Sequence, residues 1–203
     1  DRRGLSRRGA LGYAQGTAMN AHAPSSRPGG RIDESATLVP IRIAVLTISD
    51  TRDVESDTSG DVLAERVLGA GHKVVARGLV RDDVFAIRAQ INAWVDGGEA
   101  DCIITTGGTG LTGRDVTPEA IEPLYDKRIE GFSVVFHLVS YGTVGLSTLQ
   151  SRATAGLVRG VFVFCLPGSN GAVKDGWSVI APQLDSRHRP CNLVELMPRL
   201  MES

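Results

Sequence analysis

The stretch ITTGGTGLTGRDVTPEA, residues 104–120, decides the reading of the chain. It leaves a β-branched apolar run, crosses a segment crowded with glycine and threonine, and enters a helix start at Thr117-Pro118. Glycine in a loop forfeits conformational entropy on folding. Such a loop therefore serves a tight strand-to-helix turn, or a backbone that a ligand approaches closely. Thr106, Gly107, Gly108, Thr109 and Gly110 offer consecutive backbone N–H groups, unobstructed at the glycines, that can wrap a phosphate. No Lys-Ser or Lys-Thr follows, so this is not a Walker loop. The GxGxxG fingerprint after a first strand is absent as well.

Working outward, IRIAVLTIS (41–49), HKVVARGLV (72–80), DCIITT (101–106) and VFVFCLPGS (161–169) are continuous apolar runs of strand length. Helical spacing falls between them. Val62, Leu63, Arg66 and Val67 mark a first helix, with Thr58 or Ser59 as N-cap and Gly69 or Gly71 as the stop. Ile87, Ile91, Trp94 and Val95 mark a second, and Phe132, Val135, Phe136 and Val139 another. Thr117 reads as the cap of the helix after the glycine loop, with Pro118 at its first position. NGAVKDGWSVIAPQL reads as the final helix, capped by Ser169 or Asn170. Alternating elements of this kind predict a three-layer α/β/α fold with a mostly parallel sheet and right-handed crossovers. Ligands of such sheets bind beyond the carboxyl ends of the strands. The loops after Ser49, Val80, Thr106 and Leu166 are therefore the places to look.

Composition narrows the class. The 203 residues carry a net charge of −1, so no field draws in nucleic acid or an anionic membrane. No apolar run approaches a membrane span and no signal-peptide pattern is present, so a cytoplasmic protein without a membrane partner is expected. Three cysteines without a CxxC pair argue against a disulfide framework or a zinc site. Cys102 and Cys165 read as small core residues. Residues 1–38 are rich in Gly, Arg, Ser, Ala and Pro and lack any period. They are expected to be a disordered extension before a domain at 39–203.

Two acids stand beside the suspect loops. Asp82 follows the second strand, where by position alone it reads as the N-cap of its helix. Asp115 follows the glycine loop, where a turn residue is the simple reading. Carboxylates beside a phosphate-cradling loop are also what a magnesium–nucleotide site needs. Gly168 and Ser169, at the end of the fourth strand, turn the chain into the last helix and would present a second set of amides.

TTGGTGLTGRDVTPEA resembles the signature of the molybdopterin adenylyltransferase family, the Mog- and MoaB-type proteins. The likeness extends through VLTISDT, DTSGDVLAE, RDD, STLQSRATAG and LPGS, from Ile41 to about Leu193. AIRAQINAW, STLQSR and APQLDSRHRPCN are closest to the MoaB branch. The resemblance implies transfer of AMP from ATP to molybdopterin, a pterin dithiolene with a terminal phosphate, with Mg²⁺ as cofactor. It implies catalytic and metal-binding roles for Asp82 and Asp115, and nucleotide binding by Thr106, Gly107, Gly108, Thr109, Gly110, Gly168 and Ser169. Ser151 and Arg152 are implied to face the pterin or its phosphate, and a homotrimer or homohexamer is expected. The alternative is a non-catalytic molybdopterin-binding or carrier protein of the same fold.

Overall fold

The computed structural model describes residues 30–202. The four apolar runs form the parallel heart of a six-stranded sheet: β2 (Arg42–Ile48), β3 (Lys73–Val80), β4 (Cys102–Thr106) and β7 (Val161–Leu166). A second pair, β5 (Lys127–Arg128) and β6 (Thr154–Val158), extends one edge, giving the order β3-β2-β4-β7-β6-β5. Strand β6 runs antiparallel to β7, and β5 antiparallel to β6.

Successive residues of each central strand point to opposite faces, and both faces are buried. Ile43, Val45, Ile104, Phe164 and Leu166 meet α1 (Thr58–Gly69), α4 (Glu130–Val144) and α5 (Asn170–Leu184) through Leu63, Val67, Phe132, Phe136, Trp177 and Ile180. Ala44, Leu46, Ile48, Ile103, Val163 and Cys165 meet α2 (Val84–Gly97) and α3 (Thr117–Ile121) through Ile87, Ile91, Val95, Ala120 and Ile121. Helices therefore cover both faces of the sheet, as the sequence predicts. Cys102 and Cys165 are fully buried, and burial pushes both thiols up, Cys165 to about 11.

The helix caps differ from their sequence assignments by one residue in three places. Asp57, not Thr58 or Ser59, caps α1 by accepting from the Gly60 amide at 2.9 Å. Asp83, not Asp82, caps α2 through the Ala86 amide at 2.8 Å. Val116 occupies the cap position of α3, so Thr117 is the first helical residue and Pro118 the second. Ser169 caps α5, accepting from the Ala172 amide at 3.1 Å.

Strands β6 and β5 escape a sequence reading. Thr154–Val158 is TAGLV, weak in β-branched apolar residues, and it reaches β7 through the two-residue turn Arg159-Gly160. Both turn residues have positive φ, 47° and 83°, as a tight hairpin turn of this length requires.

The compact unit begins at Arg31 rather than at residue 39. Strand β1 (Arg31–Ile32) pairs antiparallel with β8 (His188–Arg189), and the Val39 amide donates to Ser186 Oγ at 2.8 Å. Residues 31–38, assigned by sequence to a disordered extension, are thus hydrogen-bonded to the end of the domain. The same assignment for residues 1–29 lies outside the described residues.

One helical stretch also departs from the sequence reading. Helix α4 and the 3₁₀ turn that continues it, Gly145–Gln150, together make 21 residues apolar enough to cross a membrane by length and composition alone. Phe132, Phe136 and Ser140 on one side are buried. Val134, Leu138, Tyr141, Leu146 and Leu149 are exposed.

Candidate functional site

The chain leaves β2 towards β3 on one side, then returns to place β4 on the other. The crevice between β2 and β4 is thus a topological switch point, the usual ligand position in an open parallel sheet. The register Ile48↔Val80, Thr47↔Thr106 and Thr106↔Leu166 brings the carboxyl ends of all four parallel strands to one edge. A cavity of about 670 Å³ opens there, lined by all four loops singled out from sequence.

The glycine loop is shaped by contacts that exclude side chains. Gly107 has φ 108° and its amide donates to the Leu166 carbonyl at 2.9 Å; a Cβ there would collide with the Ile48 carbonyl oxygen. Gly108 has φ 63°, and a Cβ there would come 2.6 Å from Asp82 Oδ1. A Cβ on Gly110 would come 2.7 Å from Asp115 Oδ2, and one on Gly168 would lie 3.2 Å from the Cα of Gly107. Thr117 Oγ1 donates to the Gly107 carbonyl at 2.9 Å, and the Thr117 amide to the Gly108 carbonyl at the same distance. The loop is therefore clamped from β7, β2 and α3. Among the described residues no hydrogen bond engages the amides of Gly108 and Thr109, and both residues line the cavity. Thr106 is buried, and its hydroxyl donates to the Pro167 carbonyl at 3.1 Å, which ties the glycine loop to the turn after β7.

Asp82 and Asp115 both line this cavity. Because Asp83 caps α2, the Asp82 side chain is released from that task. Burial, then the Asp50 and Asp115 carboxylates, push the Asp82 carboxyl above its ordinary value. Asp115 moves the other way. Its burial raises it, but the Thr112 hydroxyl and amide, the Gly110 amide and Arg152 together hold it below the ordinary value. Two carboxylates on one cavity thus ionise with unequal ease, a pattern typical of working sites.

Ser151 and Arg152 both line a smaller pocket beside the main cavity. Ser151 lines the cavity. The Arg152 guanidinium also reaches the back of the glycine loop. Its Nε donates to the Gly110 carbonyl and Nη2 to the Asp115 carbonyl, both at 2.8 Å, while Nη1 pairs with Glu119. Through these bonds Arg152 braces the loop. Gly168 and Ser169 line the cavity, with Ser169 also serving as the α5 cap.

Two further residues enter from the loop after β2. Arg52 lines the cavity and donates to Ser59 Oγ at 2.5 Å and to the Gly168 carbonyl at 3.0 Å. Asp50 accepts the Asp82 amide at 3.3 Å and an ion pair from Arg114 at 2.5 Å. The sequence reading flagged this loop without choosing residues in it. The signal available was a charged pair directly beyond a strand end, at a position no helix needs.

Among the described residues no group of three or more His, Cys, Asp or Glu is placed to hold a metal ion. Magnesium bound with phosphates needs fewer, because it uses one or two carboxylates, keeps water and shares the phosphate oxygens. Asp82 and Asp115 fit that demand. The raised Asp82 carboxyl, crowded by like charges, is one that a cation would relieve.

A switch-point cavity with free loop amides, bracketed by carboxylates of unequal acidity, sits at the strand ends of an α/β domain. The chain belongs to the family described as "Probable molybdopterin binding domain", which matches residues 44–186. It is 47% identical over 159 residues to "Molybdenum cofactor biosynthesis protein B" of Escherichia coli (strain K12), covering 78% of this chain and 94% of that one. A solved structure of "Molybdenum cofactor biosynthesis protein B" superposes with TM-score 0.74 at 37% identity, over 83% of this chain and all of the other. The "tungsten cofactor synthesizing protein MoaB from Pyrococcus furiosus" superposes with TM-score 0.65 at 38% identity, over 71% and 92%.

Proposed function

We propose that this chain acts in molybdenum cofactor biosynthesis in the cytoplasm, transferring AMP from ATP to molybdopterin. A phosphate oxygen of molybdopterin attacks the α-phosphorus of ATP, the α–β bridging bond breaks, and pyrophosphate leaves. The observation that carries the reading is the joint placement of Asp82, Asp115 and the Gly108–Thr109 amides around one cavity. Little covalent chemistry is required of the protein, since positioning and neutralisation of phosphate charge supply most of such catalysis. The loop amides would receive phosphate oxygens, and Arg52, held against Gly168, supplies positive charge from the facing loop. Asp82 and Asp115 would hold Mg²⁺, which when bound offsets the charge on the phosphates.

A homotrimer or homohexamer is part of the proposal. The exposed apolar residues of α4 and its continuation, Val134, Leu138, Tyr141, Leu146 and Leu149, support self-association there. Pyrophosphate release, measured with molybdopterin and Mg²⁺ each present or withheld, tests the reaction. Release should require both. Binding of molybdopterin without any release would replace the enzyme by a carrier.

A further inference from the structure

Asp57 does more than cap a helix. A cap needs one accepting oxygen, which Oδ1 offers the Gly60 amide at 2.9 Å. The same carboxylate, 4% exposed, accepts the Thr47 hydroxyl from β2 at 2.6 Å, Arg77 from β3 at 3.3 Å and the Ser59 hydroxyl at 3.4 Å. Gly60 makes room for it, since a Cβ there would collide with Oδ2. Glycine weakens a helix relative to alanine, so the first turn of α1 gives up stability to admit the carboxylate. Ser59 is the link outward. It is fully buried, and Arg52, which lines the main cavity, donates from Nη1 to its Oγ at 2.5 Å. A guanidinium only donates, so the single Ser59 proton goes to Asp57 and the hydroxyl's lone pairs serve Arg52. Arg52 Nη1 stands 3.9 Å from Asp57 Oδ1 itself, and Nη2 is tied to the Gly168 carbonyl at 3.0 Å. Two of the five guanidinium donors are thus anchored, and three are left over.

We propose that Asp57 and Ser59 form a relay that positions Arg52 for the phosphates of the nucleotide. The inference rests on the AMP-transfer reading above for what Arg52 meets, and it gives a role to two residues that do not line the cavity. A long side chain loses rotamer freedom when it engages a ligand. A guanidinium already held by Ser59 and Gly168 has given up that freedom in the fold, so its charge meets the ligand preorganised. A hydroxyl that donates to a carboxylate is polarised into a better acceptor for a cation, and Ser59 thereby passes the Asp57 charge on. Arg77 shares Asp57 without belonging to the relay. It engages Oδ2 and Asp61, whereas the relay leaves from Oδ1. The two arms of the carboxylate can therefore be cut separately.

The test uses the full chain and ATP with Mg²⁺, its binding read by calorimetry without molybdopterin. Arg52→Ala should weaken ATP binding about tenfold, the effect of losing a charged hydrogen bond. Ser59→Ala should weaken it by most of that factor. Added to Arg52→Ala, it should change nothing further, because the relay acts only through the guanidinium. Asp57→Asn should follow Ser59→Ala, and if the Asn variant does not fold, Ser59→Ala decides alone. Arg77→Met should lower the melting temperature yet leave ATP affinity within about twofold, so that lost stability and lost positioning are read apart. Normal ATP affinity in Arg52→Ala or Ser59→Ala would overturn the proposal. So would further weakening in the double variant, or a loss in Arg77→Met as large as in Ser59→Ala. Failure of ATP to bind the unmodified chain would overturn the relay and the nucleotide reading together. None of these readings uses turnover. A chain that shows this pattern but releases no pyrophosphate would sink AMP transfer and leave the relay in place.

Discussion

Arg152 donates from Nη2 to the backbone carbonyl of Asp115 at 2.8 Å, and from Nε to that of Gly110 at the same distance. One guanidinium thus spans the two ends of the segment that carries the second carboxylate. Its planar fork suits this task, and a lysine ammonium cannot reproduce it. We expect Arg152→Lys to lose turnover almost as fully as Arg152→Gln, at least tenfold, and both to lose roughly 1–3 kcal/mol of stability, as when charged hydrogen bonds are removed. Pyrophosphate release and chemical denaturation measure the two effects. Near-normal turnover in the lysine variant would mean that positive charge, not bracing, is what the position supplies.

Asp82 and Asp115 should separate function from stability. Either Asp→Asn change is expected to reduce AMP transfer on the order of a hundredfold, from about 3–4 kcal/mol of lost electrostatic stabilisation. Their effects on the fold differ in sign. The Asp82 carboxyl is raised in the folded chain, so its ionisation opposes folding once the pH exceeds the unfolded value near 3.8. Without Mg²⁺, Asp82→Asn should therefore melt higher than the parent at neutral pH, and the gain should fade as pH falls through the folded value towards 3.8. Asp115 is lowered, so its ionisation supports folding above 3.8 and that support is lost in acid. Asp115→Asn should melt lower at neutral pH. Melting curves between pH 3 and 8 decide both, and equal shifts for the two variants would contradict the assignment.

His72 offers a separate acid-sensitive point. It is buried and accepts the Ile41 amide on Nδ1 at 3.3 Å, and burial lowers its imidazole below the ordinary 6.5, against the pull of Asp185. A depressed histidine stabilises the fold above the unfolded value and withdraws that support as pH drops below about 6.5. Replacing His72 by Gln should flatten the loss of melting temperature between pH 7 and 5. A parallel slope in parent and variant would place the acid sensitivity elsewhere.

Truncation should locate the start of the folded unit. A chain beginning at Arg31 keeps the β1–β8 pairing and the Val39–Ser186 hydrogen bond. A chain beginning at Val39 loses that pairing, together with the Leu38 side chain that lies over Gly71. The shorter chain should melt several degrees lower than the longer one, in line with a loss of about 1–2 kcal/mol. Equal melting temperatures would show that residues 31–38 add nothing to stability.

The central strands were legible because a parallel strand buried on both faces must be apolar throughout, and IRIAVLTIS and VFVFCLPGS have no other use in a chain of this size. The glycine loop was legible for a related reason. Positive φ and close approach leave few residue types possible, and Gly107 and Gly108 meet both conditions. Helix caps were less so, because Asp82-Asp83 and Asp57-Thr58-Ser59 offer adjacent residues of the same capping class, and only backbone geometry selects between them. Arg152 could not be placed from sequence, since a guanidinium aimed at a phosphate and one aimed at two carbonyls look alike in a string of letters. Strand β6 was missed because its order comes from pairing with β7, a tertiary contact that TAGLV does not announce.

The near contact of Gly168 with Gly107 has a consequence for anyone rebuilding this architecture. The turn after one strand and the turn after its neighbour occupy the same space to within a single methyl group, and each holds the other through Gly107–Leu166 and Thr106–Pro167 hydrogen bonds. They are interlocking parts, so neither can be exchanged alone. A chimera that imports the glycine-rich segment into another parallel sheet should fail unless the turn beside it travels too. Within related chains, an inserted residue in one turn should be tolerated only when the other has opened to receive it.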